Sequence, residues 1–203
     1  MTTKDRRERE KMENRRIILE SAKKVFAKKG FHSATMEEIS ELAEFSKGAI
    51  YNYFKNKETL FFELIDEKIN EILNIVRENV SQIEDPKEKI NRVIDTMLNF
   101  FEDEKETFRI LDTETAILDA RDKSKYVKKI RKKYFEYNDF ICNIMKEGIS
   151  IGLLKDIDPQ LLTLQLTGLI NQIVASRITM KIDYDIKKLA EFVKLIYFEG
   201  AKK

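Results

Sequence analysis

The chain has 203 residues, enough for one large domain or two small ones, and a hydrophobic content of 42% permits a sizeable core. A charged fraction of 36% with only 2 Pro and 6 Gly points to helices with ionised outer faces, and no stretch nears the ~20 apolar residues of a membrane helix. One cysteine, Cys142, precludes an internal disulfide, and the charged start from Lys4 carries no apolar signal segment; together these favour the cytoplasm.

The net charge of +2 conceals an asymmetry. Residues 1–57 hold 14 Lys/Arg against 9 Asp/Glu, a surplus of +5, which leaves −3 for the remainder. A basic head on a mildly acidic body suits a nucleic-acid contact confined to the head.

Residues 1–16 show no periodic apolar face. Lys4, Arg6, Arg7, Arg9, Lys11, Arg15 and Arg16 stand there among four acids. The segment reads as a solvated tail or frayed helix extension, or as a basic arm for phosphates or the minor groove. Ile18, Ala22, Val25 and Phe26 then recur at helical spacing, which predicts a first helix to about Lys29. Lys28 and Lys29 suit its negative C-terminal end, and Gly30 supplies a left-handed stop. Phe31 to Ala34 reads as a loop. His32, the single histidine, has no cysteine or second histidine nearby and reads as a loop residue rather than a metal ligand.

Thr35-Met36-Glu37-Glu38 has the form of a capping box. Met36, Ile39, Leu42 and Ala43 form one apolar stripe behind it. Ser46 is the next cap candidate, leaving roughly three residues of turn. A capped helix, a short turn and a second capped helix make a helix-turn-helix pattern. In the third helix, about Lys47 to Phe54, Ile50 and Phe54 share the inward face. Gly48, Ala49 and Asn52 lie opposite, flanked by Tyr51 and Tyr53. Glycine inside a helix costs roughly 1 kcal/mol against Ala, and close backbone approach to a partner is one reason to carry it. Small residues beside an asparagine and two tyrosines suit a helix that sinks into a major groove and finds phosphates and base edges.

Asn56 caps a fourth helix that carries Phe61, Leu64, Ile65, Ile69, Ile72, Leu73 and Val76. Asp85-Pro86 opens a fifth with Ile90, Val93, Ile94, Met97 and Phe101. A shorter sixth covers 104–119 with Phe108, Leu111 and Ile117. A seventh runs from about Lys123 to Ile151 and stops at Gly152. Asp158-Pro159 opens an eighth that is apolar on most sides, and such a helix must be buried in a core or an interface. A ninth starts near Asp183 to Asp185 and carries Leu189, Phe192, Val193, Ile196 and Tyr197. Strand signals are absent. The expected fold is all-α with about nine helices: a three-helix head containing the helix-turn-helix, then a helical body.

The run Ser46-Lys47-Gly48-Ala49-Ile50-Tyr51-Asn52-Tyr53-Phe54-Lys55-Asn56-Lys57-Glu58, with Leu60-Phe61 after it and Lys29-Gly30-Phe31 and Thr35-Met36 before it, resembles the TetR family of bacterial transcription regulators. The motif covers about the first quarter of the chain. One departure stands at the turn after the second helix, where the family usually has Gly and this chain has Glu44 beside Phe45. A left-handed non-Gly residue there costs roughly 1–2 kcal/mol.

The resemblance implies a DNA-binding domain with its basic arm over 1–60 and a ligand-binding and dimerisation domain over 61–203. It implies a homodimer that binds a palindromic operator in double-stranded DNA, most simply as a repressor, and that a small molecule releases. Thr35, Ser46, Lys47, Tyr51, Tyr53 and Lys57 would meet phosphates. Met36 lies among them at the start of the second helix, Gly48 and Ala49 lie against the groove, and Asn52 reads a base. The last two helices of each subunit would pair, through Leu164, Leu169 and Ile173 on the eighth and Phe192 and Ile196 on the ninth.

The effector is expected to be apolar or amphipathic. Phe100, Phe101, Phe108, Phe135, Phe140, Met145 and Leu166 either line a cavity for it or are plain core. Arg121 to Lys133 holds eight basic residues and one acid. It reads as a solvated helix face or as a basic rim for an anionic ligand such as an acyl-CoA. An enzyme is disfavoured: there is one histidine, one cysteine, no glycine-rich phosphate loop and no HExxH, and no cofactor or metal is expected. A helical scaffold without DNA affinity is the rival class.

Overall fold

The computed structural model describes residues 3–113, 125–180 and 184–201. These form nine helices and the fold is all-α: α1 (Thr3–Ser33), α2 (Met36–Leu42), α3 (Lys47–Tyr51), α4 (Lys57–Val80), α5 (Pro86–Asp103), α6 (Lys105–Thr113), α7 (Lys125–Ser150), α8 (Pro159–Thr179) and α9 (Ile186–Ala201). Ile117, the stretch 121–124 of the basic run and Asp183 lie outside the described residues, and Leu111 is described only in its backbone. No helix of the described residues is long and apolar enough to cross a membrane.

The described residues fall into two compact units. One lies within Met1–Lys68 and Glu106–Asp122, the other within Ile69–Lys105 and Lys123–Lys203. The division cuts α4 between Lys68 and Ile69 rather than falling at its start.

Helix ends follow the local chemistry. Thr35 accepts from the amide of Glu38 at 3.2 Å while the Glu38 carboxylate accepts from the amide of Thr35 at 3.2 Å, so the capping box is complete. Ser46 caps α3 by accepting from Ala49 N at 3.2 Å. Asp85 and Asp158 cap α5 and α8, each with Pro at the first helical position. Asp185 accepts from the amides of Lys187 and Lys188 ahead of α9. Gly30, at φ 76° and ψ 162°, breaks α1 before its last residues, and Gly152, at φ 74°, ends α7.

Three boundaries differ from the expectation. Phe31–Ser33, expected as a loop, are helical beyond the break at Gly30. α1 begins at Thr3, well before Ile18, because ion pairs rather than apolar packing run along its first turns; Arg6 pairs with Glu10 and Arg16 with Glu13. α3 ends at Tyr51 with Asn52 as its C-cap, short of Phe54.

In the body, α5 packs against α7, α8 and α9. Leu73 and Val76 of α4, Ile90 and Ile94 of α5, Ile141 and Met145 of α7, Leu166 and Ile170 of α8, and Val193 and Tyr197 of α9 belong to one buried cluster. α5 is also tied at its rim to each neighbour by an ion pair: Lys89 to Glu147 of α7, Glu102 to Arg177 of α8 at 2.8 Å, and Asp95 to Lys194 of α9 at 2.8 Å. Such partly exposed pairs stabilise by about 0–1 kcal/mol each, so the apolar cluster rather than the pairs holds the bundle.

Candidate nucleic-acid interface

The head is built on an aromatic cluster. Phe26, Phe31 and Phe61 are all buried, with ring centroids 4.9 to 5.8 Å apart in tilted or edge-on geometry. Aromatic pairs of this kind add about 0.5–1.5 kcal/mol beyond their burial. Ile39 of α2, Ala43 at its C-cap, Ile50 of α3 and Phe54 just beyond it are also buried, and Ile39, Ile50 and Phe54 fully so. The inward half of the helix-turn-helix is therefore apolar and fixed.

The turn between α2 and α3 carries a left-handed residue. Glu44 has φ 60°, its amide donates to Glu41 O at 3.2 Å, and the Phe45 amide reaches back to Ser40 O at 2.9 Å. The helix thus ends in a glycine-type C-terminal motif without the glycine, at a cost of roughly 1–2 kcal/mol. The Phe45 ring then packs edge-on against Tyr53, with centroids 6.3 Å apart.

The outward half is polar and small. Lys47, Gly48, Tyr51 and Asn52 are exposed, Tyr51 to 44%, and Ala49 is half-exposed. A Cβ built on Gly48 would meet no atom within 4 Å, so the protein's own packing does not demand glycine there. Tyr53 is half-buried and accepts from Asn14 Nδ2 at 3.1 Å. Lys57 donates to the carbonyls of His32 at 3.0 Å and Ala34 at 2.8 Å, with its ammonium 4.6 Å from the Phe31 ring centroid. Two of its three N–H donors thus hold the segment that leads into α2. Thr35 is exposed at its cap. Met36 is only 6% exposed.

Two carboxylates temper the basic groups of this face. Glu37 pairs with Lys47 and Glu38 with Lys29. The hydrogen bond from Lys47 holds Glu37 below the usual carboxylate range and raises Lys47 in return. The bond from Lys29 likewise holds Glu38 below that range. Arg15, read from the sequence as part of a basic arm, instead pairs with Glu63 and with Glu67, the latter at 3.1 Å, and lies 5.5 Å from the Phe54 ring centroid. These contacts join residues 48 and 52 positions apart, and no sequence pattern signals them.

The remaining candidates divide between the two units. Phe108 belongs to the first. In the second, Met145 and Leu166 are fully buried, and Phe101 and Phe140 pack against the same cluster. Phe100 is buried beside a groove of about 590 Å³ between α4, α5 and α9. Phe135 stands apart, 64% exposed. Leu164, Phe192 and Ile196 are about half exposed, while Leu169 and Ile173 rest partly on the body core. Leu161 and Leu195 extend the same exposed apolar stripe, at helical spacing from Leu164 and Phe192. No group of three or more His, Cys, Asp or Glu residues suited to a metal occurs among the described residues.

Similarity to known proteins covers both ends of the chain. The model of the tetR family of bacterial regulatory proteins matches residues 18–64, and the C-terminal domain model of tetracyclin repressor-like proteins matches residues 83–202. The chain is 29% identical to the uncharacterized HTH-type transcriptional regulator YhgD of Bacillus subtilis over 74% of this chain and 76% of that one. It is 27% identical to the fatty acid metabolism regulator protein of Bacillus subtilis over 90% and 93%. Among solved structures, the transcriptional regulator FadR from Bacillus subtilis in complex with stearoyl-CoA superposes with a TM-score of 0.78 at 25% identity, covering 91% of this chain and 97% of that one. With family models spanning both its head and its body, the chain belongs to the tetR family of helix-turn-helix DNA-binding regulators.

Proposed function

We propose that the protein is a ligand-released repressor that binds a palindromic operator as a homodimer. The observation that carries this reading is the exposed face of α3, polar and small, with open space over Gly48 where a partner can reach the backbone. Residues 1–60 serve the DNA and 61–203 the effector and the dimer. Thr35, Ser46, Lys47, Tyr51, Tyr53 and the remaining donor of Lys57 meet phosphates, with the main chain of Met36 beside them. Gly48 and Ala49 face the groove, and Asn52 reads a base edge. Leu161, Leu164, Phe192, Leu195 and Ile196 of each copy pair with those of the second, flanked by Leu169 and Ile173. Dimeric heads then address half-sites about one helical turn apart.

The effector is a long-chain acyl-CoA. The likeness to a fatty acid metabolism regulator over nine-tenths of the chain and to a FadR crystallised with stearoyl-CoA supports this class. So does Tyr137 of α7, 7% exposed in the body core, whose hydroxyl meets no hydrogen-bond partner among the described residues. Burial pushes that hydroxyl above the usual phenol range, so it stays protonated as a donor. An unmet buried hydroxyl costs about 1–3 kcal/mol, and an acceptor on the ligand relieves it. The ligand releases DNA only by the difference in its affinity for the two states.

The test is a gel shift with DNA from upstream of the chain's own gene, with and without stearoyl-CoA. A specific shift that the acyl-CoA abolishes is expected. A shift insensitive to acyl-CoA removes the effector class, and no specific shift at all favours a helical scaffold. Tyr137→Phe should weaken acyl-CoA binding about tenfold while raising the unfolding free energy of the ligand-free protein by about 1 kcal/mol; a fall in both assigns Tyr137 to packing alone.

A further inference from the structure

Asn14 lies 39 positions before Tyr53, yet its Nδ2 donates to the Tyr53 hydroxyl at 3.1 Å. A phenol has one proton to give and an oxygen that also accepts. A donor on the accepting side leaves the O–H free and polarises it into a stronger donor. Both partners are held in advance. Arg15, the next residue of α1, pairs with Glu63 and Glu67 of α4 and lies against the Phe54 ring. Phe45 packs edge-on against the Tyr53 ring. Neither the turn of α1 that carries Asn14 nor the tyrosine ring needs to be ordered when DNA arrives, which spares binding that entropic cost.

We propose that Asn14 is a positioning residue for DNA binding: it occupies the accepting side of the Tyr53 hydroxyl and directs its one proton to a backbone phosphate. The proposal rests on the DNA-binding reading above. It adds a residue from α1, outside the helix-turn-helix, to the groups that set phosphate affinity.

Fluorescence anisotropy of the full chain on a mixed-sequence duplex at low salt tests this, since phosphate contacts do not depend on sequence. Wild type is compared with Asn14→Ala, Asn14→Asp, Tyr53→Phe and the two double variants. Tyr53→Phe should weaken binding about tenfold per head, the worth of one hydrogen bond to a charged group. Asn14→Ala should cost about threefold alone and nothing when Tyr53→Phe is also present. Asn14→Asp keeps the shape but can only accept, so it takes the Tyr53 proton from the phosphate. It should cost at least as much as Tyr53→Phe with no loss of thermal stability. Its double with Tyr53→Phe reports the repulsion from the added charge, and the excess over that is the coupling. Asn14→Ala losses equal with and without Tyr53→Phe would overturn the proposal, as would wild-type affinity in Asn14→Asp. Wild-type protein that binds no duplex overturns the DNA reading itself and this proposal with it.

Discussion

Each of the two units leaves a surface bare, and the two surfaces have opposite chemistry. In the head the exposed part of α3 is small and polar, with Lys47, Gly48, Tyr51 and Asn52 outward and Ile50 and Phe54 inward. In the body the exposed faces of α8 and α9 carry Leu161, Leu164, Phe192, Leu195 and Ile196, each about half exposed. Water serves the first surface well, so only a better-placed anion or base edge improves on it. Water serves the second badly: burying the exposed half of such side chains is worth about 0.7–1.5 kcal/mol each. A partner for the head would lose affinity steeply with salt, whereas one for the body would hold through buried area. Ionic strength is the variable that separates them.

The comparison breaks most visibly at the body. Leu164→Glu combined with Phe192→Glu should weaken self-association by about three orders of magnitude in analytical ultracentrifugation, because unpaired carboxylates would enter an apolar contact. Wild-type association should hardly change between low and high salt. Association that survives the double change would place the dimer elsewhere.

The next effect is at the head. Gly48→Ala should lower DNA affinity about tenfold while leaving stability unchanged or raising it by up to about 1 kcal/mol, since Ala is the better helix former and its methyl meets no protein atom. Equal losses in affinity and stability would make Gly48 a folding residue. A smaller effect should come from Glu37→Gln, which frees Lys47 from its pair. Affinity should rise about threefold and the salt slope should steepen by about one unit per head. An unchanged slope would show that Lys47 does not reach a phosphate. The smallest change is expected of Glu44→Gly, which relieves the left-handed turn: about 1 kcal/mol in stability, or about 2–4 °C in Tm, with DNA affinity untouched.

Helix starts and stops were the most legible part of the chain, because caps act through residues two or three positions away. Thr35 with Glu38, Ser46, Asp85-Pro86, Asp158-Pro159, Gly30 and Gly152 all stand where local chemistry puts them. The inward Ile50 and the outward Lys47, Gly48 and Tyr51 of α3 were legible for the same reason, since they follow the 100° step, whereas Phe54 is buried beyond the helix end. The start of α1 was not, because an apolar period is the wrong signal for a helix carried by charge spacing. The tertiary ties were not legible either. Arg15 to Glu63 and Glu67, Asn14 to Tyr53 and Lys57 to His32 and Ala34 each join an ordinary surface residue to a distant one. Nothing in the local spacing of such residues distinguishes a phosphate contact from a brace.

Glu44 has a consequence for how this chain can change. Glutamate codons differ from glycine codons by one base in the middle position, so the substitution that relaxes the turn is a single mutational step away. Most routes to greater stability in a helical protein need a new side chain to fit among neighbours already packed. This one removes a side chain from an exposed position and asks nothing of its surroundings. An error-prone library of this gene selected only for heat resistance should return glycine at position 44 early and repeatedly, ahead of any change in the buried clusters of either unit.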